Sequence, residues 1–188
     1  MVVEIKDILL VYTNGMQTEG KFGGYSYSFI VDKETILKHA LDAVSSSRKS
    51  QWKDEDKTPA KLLKAMNAKS KAKLVDPENY DPKFDEIIAH MRDCDVLVGV
   101  KSKTPIKATK KDPVAWFSKA DIIIEMYTTE YQGKQFVSRV APPRCSVKVT
   151  KYEKMPEDVG GPCYIEEDEE PSKTPATEGV QTYDEIPF

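Results

Sequence analysis

From Tyr25 to Val31 the chain alternates strictly: Tyr25, Tyr27, Phe29 and Val31 point one way, and Ser26, Ser28 and Ile30 the other. That is the period of a strand with one buried face. Ahead of it, VVEIKDILLVYT is rich in β-branched and apolar residues and predicts another strand, joined to the first through the turn-prone NGMQTEGKFGG. From Asp32 the period lengthens, and Ile36, Leu37, Ala40, Leu41 and Val44 fall on one helical stripe. Thr58 before Pro59 supplies an N-cap with proline at the first helical position, followed by Leu62, Leu63 and Met66. Asp81 before Pro82 repeats the device ahead of Phe84, Ile87, Ile88 and Met91. The lysine-rich stretches between these helices, SSSRKSQWKDEDK and NAKSKAKLV, read as loops.

Strand character returns at DVLVGVKSK and at KADIIIEMYTTEY, where the glycine turn YQGK leads into QFVSRV. Beyond Pro142 and Pro143 it returns once more at CSVKVTKY. Five to six strands thus cluster at the two ends of residues 1–155, with a helical insertion at about 33–92. Strands that do not alternate with helices argue for an antiparallel barrel rather than a βαβ sheet. The expected class is mainly β with a helical insertion (α+β), and the expected architecture is an OB-fold barrel.

After Met155 the composition shifts to Pro, Gly, Thr and acids, with too few apolar groups to offset the entropy of ordering. Residues 156–188 are therefore expected to form a disordered acidic tail. This segment holds ten acids and one base, Lys173, so a net charge of −3 divides into a body of +6 and a tail of −9. Asymmetry of this kind marks a polyanion-binding body joined to an acidic interaction tail. No apolar run approaches the roughly 18 to 20 residues of a membrane span. Acids also stand where a signal peptide would be basic, so a cytoplasmic protein without a membrane partner is expected. Cys94, Cys145 and Cys163 lack the spacing of zinc ligands or a disulfide framework, and are read as free thiols with Cys94 and Cys145 in the core.

Catalytic signatures are missing. The glycines of KFGGY lack the spacing and the following helix of a phosphate loop, and His39 and His90 sit apart on predicted helices. The run EEDEE has no scaffold to hold a metal in a fixed geometry. The reading is a binding protein, not an enzyme, with no cofactor and no metal.

The body instead interleaves lysine with aromatics. KSKTPIKATKKDPVAWFSK carries Lys101, Lys103, Lys107, Lys110, Lys111 and Lys119 against one acid, Asp112, together with Trp116 and Phe117. A nucleic-acid single strand offers phosphates to cations and unstacked bases to flat rings. Trp116 is the ring best placed for such a groove. Tyr25 and Tyr27 suit either a core or a half-wet binding face, Phe29 suits the core, and Trp52 suits an anchor for the helical insertion.

The ending DEIPF resembles the C-terminal tip of bacterial single-stranded DNA-binding proteins. The resemblance implies that Asp184, Glu185, Ile186, Pro187 and Phe188 dock on replication or recombination proteins such as a polymerase, helicase or nuclease. Phe188 would supply both the ring and the terminal carboxylate. The body is similar to the single-stranded DNA-binding proteins of tailed phages: a glycine-tyrosine strand (FGGYSYSFIV), a helical insert with a tryptophan (AVSSSRKSQW), KSKTP, a hairpin of the DIIIEMYTTEYQGKQFVSRV type and an acidic tail. It implies an OB-fold that binds single-stranded DNA without sequence preference in replication, recombination and repair, in a bacterial host cytoplasm. Lys101, Lys103, Tyr127 and Tyr131 are the positions it carries over. A protein-interaction adaptor and a DNA-mimic inhibitor are the competing classes, and self-association is left open.

Overall fold

The computed structural model describes residues 1–47, 52–78, 80–106, 115–142 and 146–151. Along the chain run β1 (Val2–Val11), β2 (Tyr25–Asp32), α1 (Lys33–Ser46), α2 (Pro59–Ala65), β3 (Lys69–Ser70), α3 (Lys71–Leu74), α4 (Asp85–His90), β4 (Asp95–Ser102), β5 (Lys119–Tyr131), β6 (Lys134–Val140) and β7 (Val147–Lys151).

β1 buries Val3 and Ile5, then Ile8 and Leu10, so its inward phase slips by one residue at Lys6–Asp7. The slip is a bulge: pairing with β5 skips from Ile5 to Ile8, and Asp7 takes a φ of 54°. The Asp7 N–H donates to Asp121 Oδ1 at 3.1 Å, and Lys119 Nζ meets Asp7 Oδ1 at 3.1 Å, which holds the bulge from both sides. β2 runs antiparallel to β1 and to β4, setting Tyr27 opposite Val100 and Phe29 opposite Val98. β5 pairs with β1 through its first half and with β6 through its second, across a tight turn in which Gln132 and Gly133 both have positive φ. β6 returns parallel to β4 at Val140 and Lys101. The order β1-β2-β4-β6-β5 therefore closes on β1, the Greek-key barrel of an OB-fold, with β7 added along β5.

Tyr27, Phe29, Ile122, Ile124 and Met126 fill the barrel, and α1 covers it with Ile36, Ala40, Ala43 and Val44. Asp32 caps α1 by accepting from the Thr35 N–H at 3.1 Å. Leu41, read onto the buried stripe, is exposed, and Ala43 takes its place against the core. Trp52 packs against this core, as the anchor reading requires.

Phe29, Ile30 and Val31 are buried in succession, which one buried face cannot explain. Ile30 and Leu97 point out of the barrel into a second, smaller core with Leu74, Phe84, Ile87 and Met91 from the insertion. The helical elements thus cover one end of the outer face of β2 and β4 and leave the other end open. Within NAKSKAKLV, read as a loop, Lys69–Ser70 pairs with Leu97 and Val96, and a single helical turn follows. Cys94 is exposed rather than in the core, because it sits in the turn between α4 and β4, where no barrel position falls. Cys145, Cys163 and the acidic segment 156–188 lie outside the described residues. No helix among the described residues is long and apolar enough to cross a membrane.

Candidate nucleic-acid interface

At the open end of β2 and β4 the outward positions are small or polar: Ser26 faces Lys101 and Ser28 faces Gly99. Beside them the outward side of β5 and β6 sets Tyr127 against Ser138 and Thr129 against Phe136. A third wall comes from Tyr12 and Trp116, and Asn67 of the insertion completes the rim. Together these surfaces bound a groove of about 830 Å³. Its position, over the second and third barrel strands, is where OB-folds take oligonucleotides.

The floor is low because Gly99 carries no side chain; a Cβ there would meet only Ser28 Oγ, at 3.7 Å. Gly15, at the end of the groove, has the opposite reason for lacking one. A Cβ at Gly15 would lie 2.4 Å from the Ser26 carbonyl oxygen, so the turn could not close onto β2.

The aromatic wall is held by strained backbone. Tyr12 and Phe117 flank Trp116 in space and take φ of 55° and 61°, a conformation that costs bulky residues about 1–3 kcal/mol each. Two backbone bonds to β1 hold the segment: Phe117 N–H to Leu10 O at 2.6 Å, and Leu10 N–H to Ser118 O at 3.0 Å. Trp116 meets Tyr12 edge-on at 4.8 Å, and Phe117 stacks on His90 at 3.6 Å. Burial raises the Tyr12 hydroxyl above its ordinary pKa, with Lys83 opposing.

Two cations line the groove, Lys101 and Arg139, and no carboxylate does among its lining residues. Arg139 crosses the seam between β6 and β4, donating Nε to Gly99 O at 2.8 Å and Nη1 to Val137 O at 2.9 Å. Burial lowers its pKa to about 10, so it stays charged at neutral pH with three of its five N–H donors beyond these two bonds.

Of the residues singled out in the sequence, Lys101, Trp116, Tyr127 and Tyr27 come together here. Tyr27 does so from beneath, since its side chain is 1% exposed and belongs to the barrel core; burial pushes its hydroxyl well above the ordinary tyrosine pKa. Tyr25 is half-buried at the end of β2, Lys103 follows β4, and Tyr131 stands 66% exposed at the hairpin tip; none of the three lines the groove. Lys107, Lys110, Lys111 and the tip Asp184, Glu185, Ile186, Pro187 and Phe188 lie outside the described residues. Sequence reading missed Tyr12, Phe136 and Arg139. Only the odd-numbered alternation of β5 and its pairing with QFVSRV offered a signal, and that needed the register.

At the opposite end of β2 and β4 from the groove, Asp32, Cys94 and Asp95 bring ligand-type atoms within 4.8 Å of one another. Their oxygens are already engaged: Asp95 takes Arg92 Nη2 and the Arg92 N–H, each at 2.8 Å, and Asp32 takes Thr35. That arrangement is an ion pair and a helix cap, not a cation cage.

No family model matches the sequence, and no curated protein matches it. Among solved structures, the single-stranded DNA-binding protein from bacteriophage Enc34 in its C-terminally truncated form is similar at a TM-score of 0.53 and 11% identity, covering 81% of this chain and 87% of that one. The same phage protein in complex with single-stranded DNA aligns at a TM-score of 0.53 and 12% identity, covering 81% and 88%. A further structure of it aligns at 0.51 and 11%, covering 81% and 82%. The chain has the OB-fold of these phage single-stranded DNA-binding proteins.

Proposed function

We propose that this chain is a sequence-independent single-stranded DNA-binding protein of a phage, working in the cytoplasm of the bacterial host during DNA replication, recombination and repair. The observation that carries the reading is a groove on the OB oligonucleotide face with aromatic walls, a floor lowered by Gly99, and two cations without a carboxylate. Bases stack on Trp116 and Tyr127 while Lys101 and Arg139 meet the phosphates. The likeness to a phage protein solved in complex with single-stranded DNA supports single-stranded DNA as the ligand.

The acidic segment 156–188 recruits a polymerase, helicase or nuclease through Phe188 and competes with DNA for the basic body when the groove is empty. Removing it tightens DNA binding, most at low salt.

Titrating tryptophan fluorescence with oligo-dT tests the core of this reading. The expected result is quenching, with log affinity falling with log salt at about −0.7 per phosphate neutralised, and far weaker binding of duplex. Equal affinity for duplex and single strand rejects the stacking component, and no retention on single-stranded DNA resin favours a protein-interaction adaptor.

A further inference from the structure

The groove does not end at Asn67. Past Tyr12, Ser28 and Gly99 it runs into a depression of about 360 Å³ reaching Lys69 and Phe84. Beyond Asn67, Lys69 and Phe84 follows another of about 390 Å³ bounded by Lys64, Lys73 and Leu74. Shared walls make one track from the barrel face over the helical insertion.

We infer that this track, over β3 and α3, is a second segment of the nucleic-acid site, in which Lys64, Lys69 and Lys73 hold the backbone of a single strand leaving the barrel groove. The inference rests on the reading of the groove as a single-stranded DNA site.

Three features favour this path. No carboxylate lines either depression. Neighbouring lysines are spent on ion pairs, Lys57 with Asp54 at 2.8 Å, Lys61 with Asp56 at 2.6 Å and Lys83, which borders the first depression, with Asp81 at 2.8 Å. Lys64, Lys69 and Lys73 make no ion pair among the described residues, and all three are exposed. Phe84, itself buried, sits 4.6 Å below the Lys69 ammonium, which fixes that cation over the junction. The alternative exit, between α2 and the β5–β6 hairpin past Trp52, carries Lys134 beside Lys64, but there Lys61 is neutralised by Asp56, whereas the track holds no carboxylate. The insertion thus lengthens the site.

The test compares the full-length protein with a variant carrying Lys64→Ala, Lys69→Ala and Lys73→Ala, using oligo-dT of about 5 and about 15 nucleotides, the span one OB-fold covers. A control variant removes three exposed lysines elsewhere, Lys33→Ala, Lys38→Ala and Lys148→Ala. The expected result is short-oligo affinity within about twofold of the parent. Long-oligo affinity falls at least about tenfold, and its salt slope drops by about 2, the sum of three single-strand phosphate contacts. The control keeps the parental slope. Equal losses in the two triple variants, or a long-oligo slope unchanged in the track variant, overturn the inference while leaving the groove in place. Failure of the unmodified protein to bind the short oligo overturns the underlying reading instead.

Discussion

Arg139 donates from Nε to the carbonyl of Gly99 at 2.8 Å, closing with a side chain a part of the β4 edge that strands leave open. β6 pairs that edge at Lys101, and β3 pairs it at Leu97 and Val96. Gly99 lies between, so one guanidinium both seals the barrel and sets charge on the groove floor.

The two jobs separate by substitution. Arg139→Lys keeps the charge but loses the two-carbonyl geometry, and is expected to cost about 1 kcal/mol of stability with DNA affinity near the parent's. Arg139→Gln removes the charge and is expected to reduce the single-strand salt slope by about 0.7, equally for all sequences. Denaturant midpoints and salt titrations read the two effects; an unchanged slope in Arg139→Gln removes Arg139 from the phosphate contacts.

Tyr27 and Tyr127 make a matched pair. The Tyr27 hydroxyl is buried without a hydrogen-bond partner among the described residues, so Tyr27→Phe is expected to leave binding unchanged and stability equal or slightly higher. Tyr127 is 40% exposed on the groove wall, and Tyr127→Ala is expected to lose about 1–3 kcal/mol of affinity for oligo-dT with stability nearly intact. Reversed outcomes would place the stacking rings elsewhere.

Gly99→Leu tests the floor directly. The position has ordinary strand backbone, and a Cβ meets nothing nearer than 3.7 Å, so the variant is expected to fold and to gain up to about 1 kcal/mol from leaving glycine. Its isobutyl group then stands where the strand must lie. Oligo-dT affinity is expected to fall at least about tenfold at a melting temperature no lower than the parent's; undiminished affinity would move the DNA off this face.

The barrel was legible because strand alternation is local: Tyr27, Phe29 and Val31 on one side of β2 are the core residues found. Ile30 shows the limit. Its burial depends on Leu97 and on Phe84, 54 residues away, which no period within β2 encodes. Lys101, Trp116 and Tyr127 could be picked out as residue types, but Arg139 reads in QFVSRV as an ordinary strand cation until β6 is laid beside β4. Cys94 was misplaced because a thiol beside DVLVGV looks apolar, whereas the turn it occupies is set by the cap that Asp95 builds with Arg92. Two-residue β3 has no period at all.

That cap gives the last prediction. Asp95 is 4% exposed and accepts from the Arg92 N–H and from Arg92 Nη2, each at 2.8 Å. Burial alone would raise its carboxyl, but the Arg92 hydrogen bonds and charge outweigh that and hold it below the ordinary value. A carboxyl depressed in the folded state contributes stability that is present above the unfolded pKa, about 3.9, and is lost as pH falls through the lower folded value. Asp95→Asn is therefore expected to cost about 1–3 kcal/mol at pH 7 and less below about pH 3, so the denaturation midpoints of parent and variant converge in acid. Oligo-dT affinity at pH 7 stays the same, because the pair sits at the opposite end of β2 and β4 from the groove and lines none of it. Midpoints that keep a constant separation down to about pH 2 would assign the stabilisation to packing of the side chain rather than to its charge.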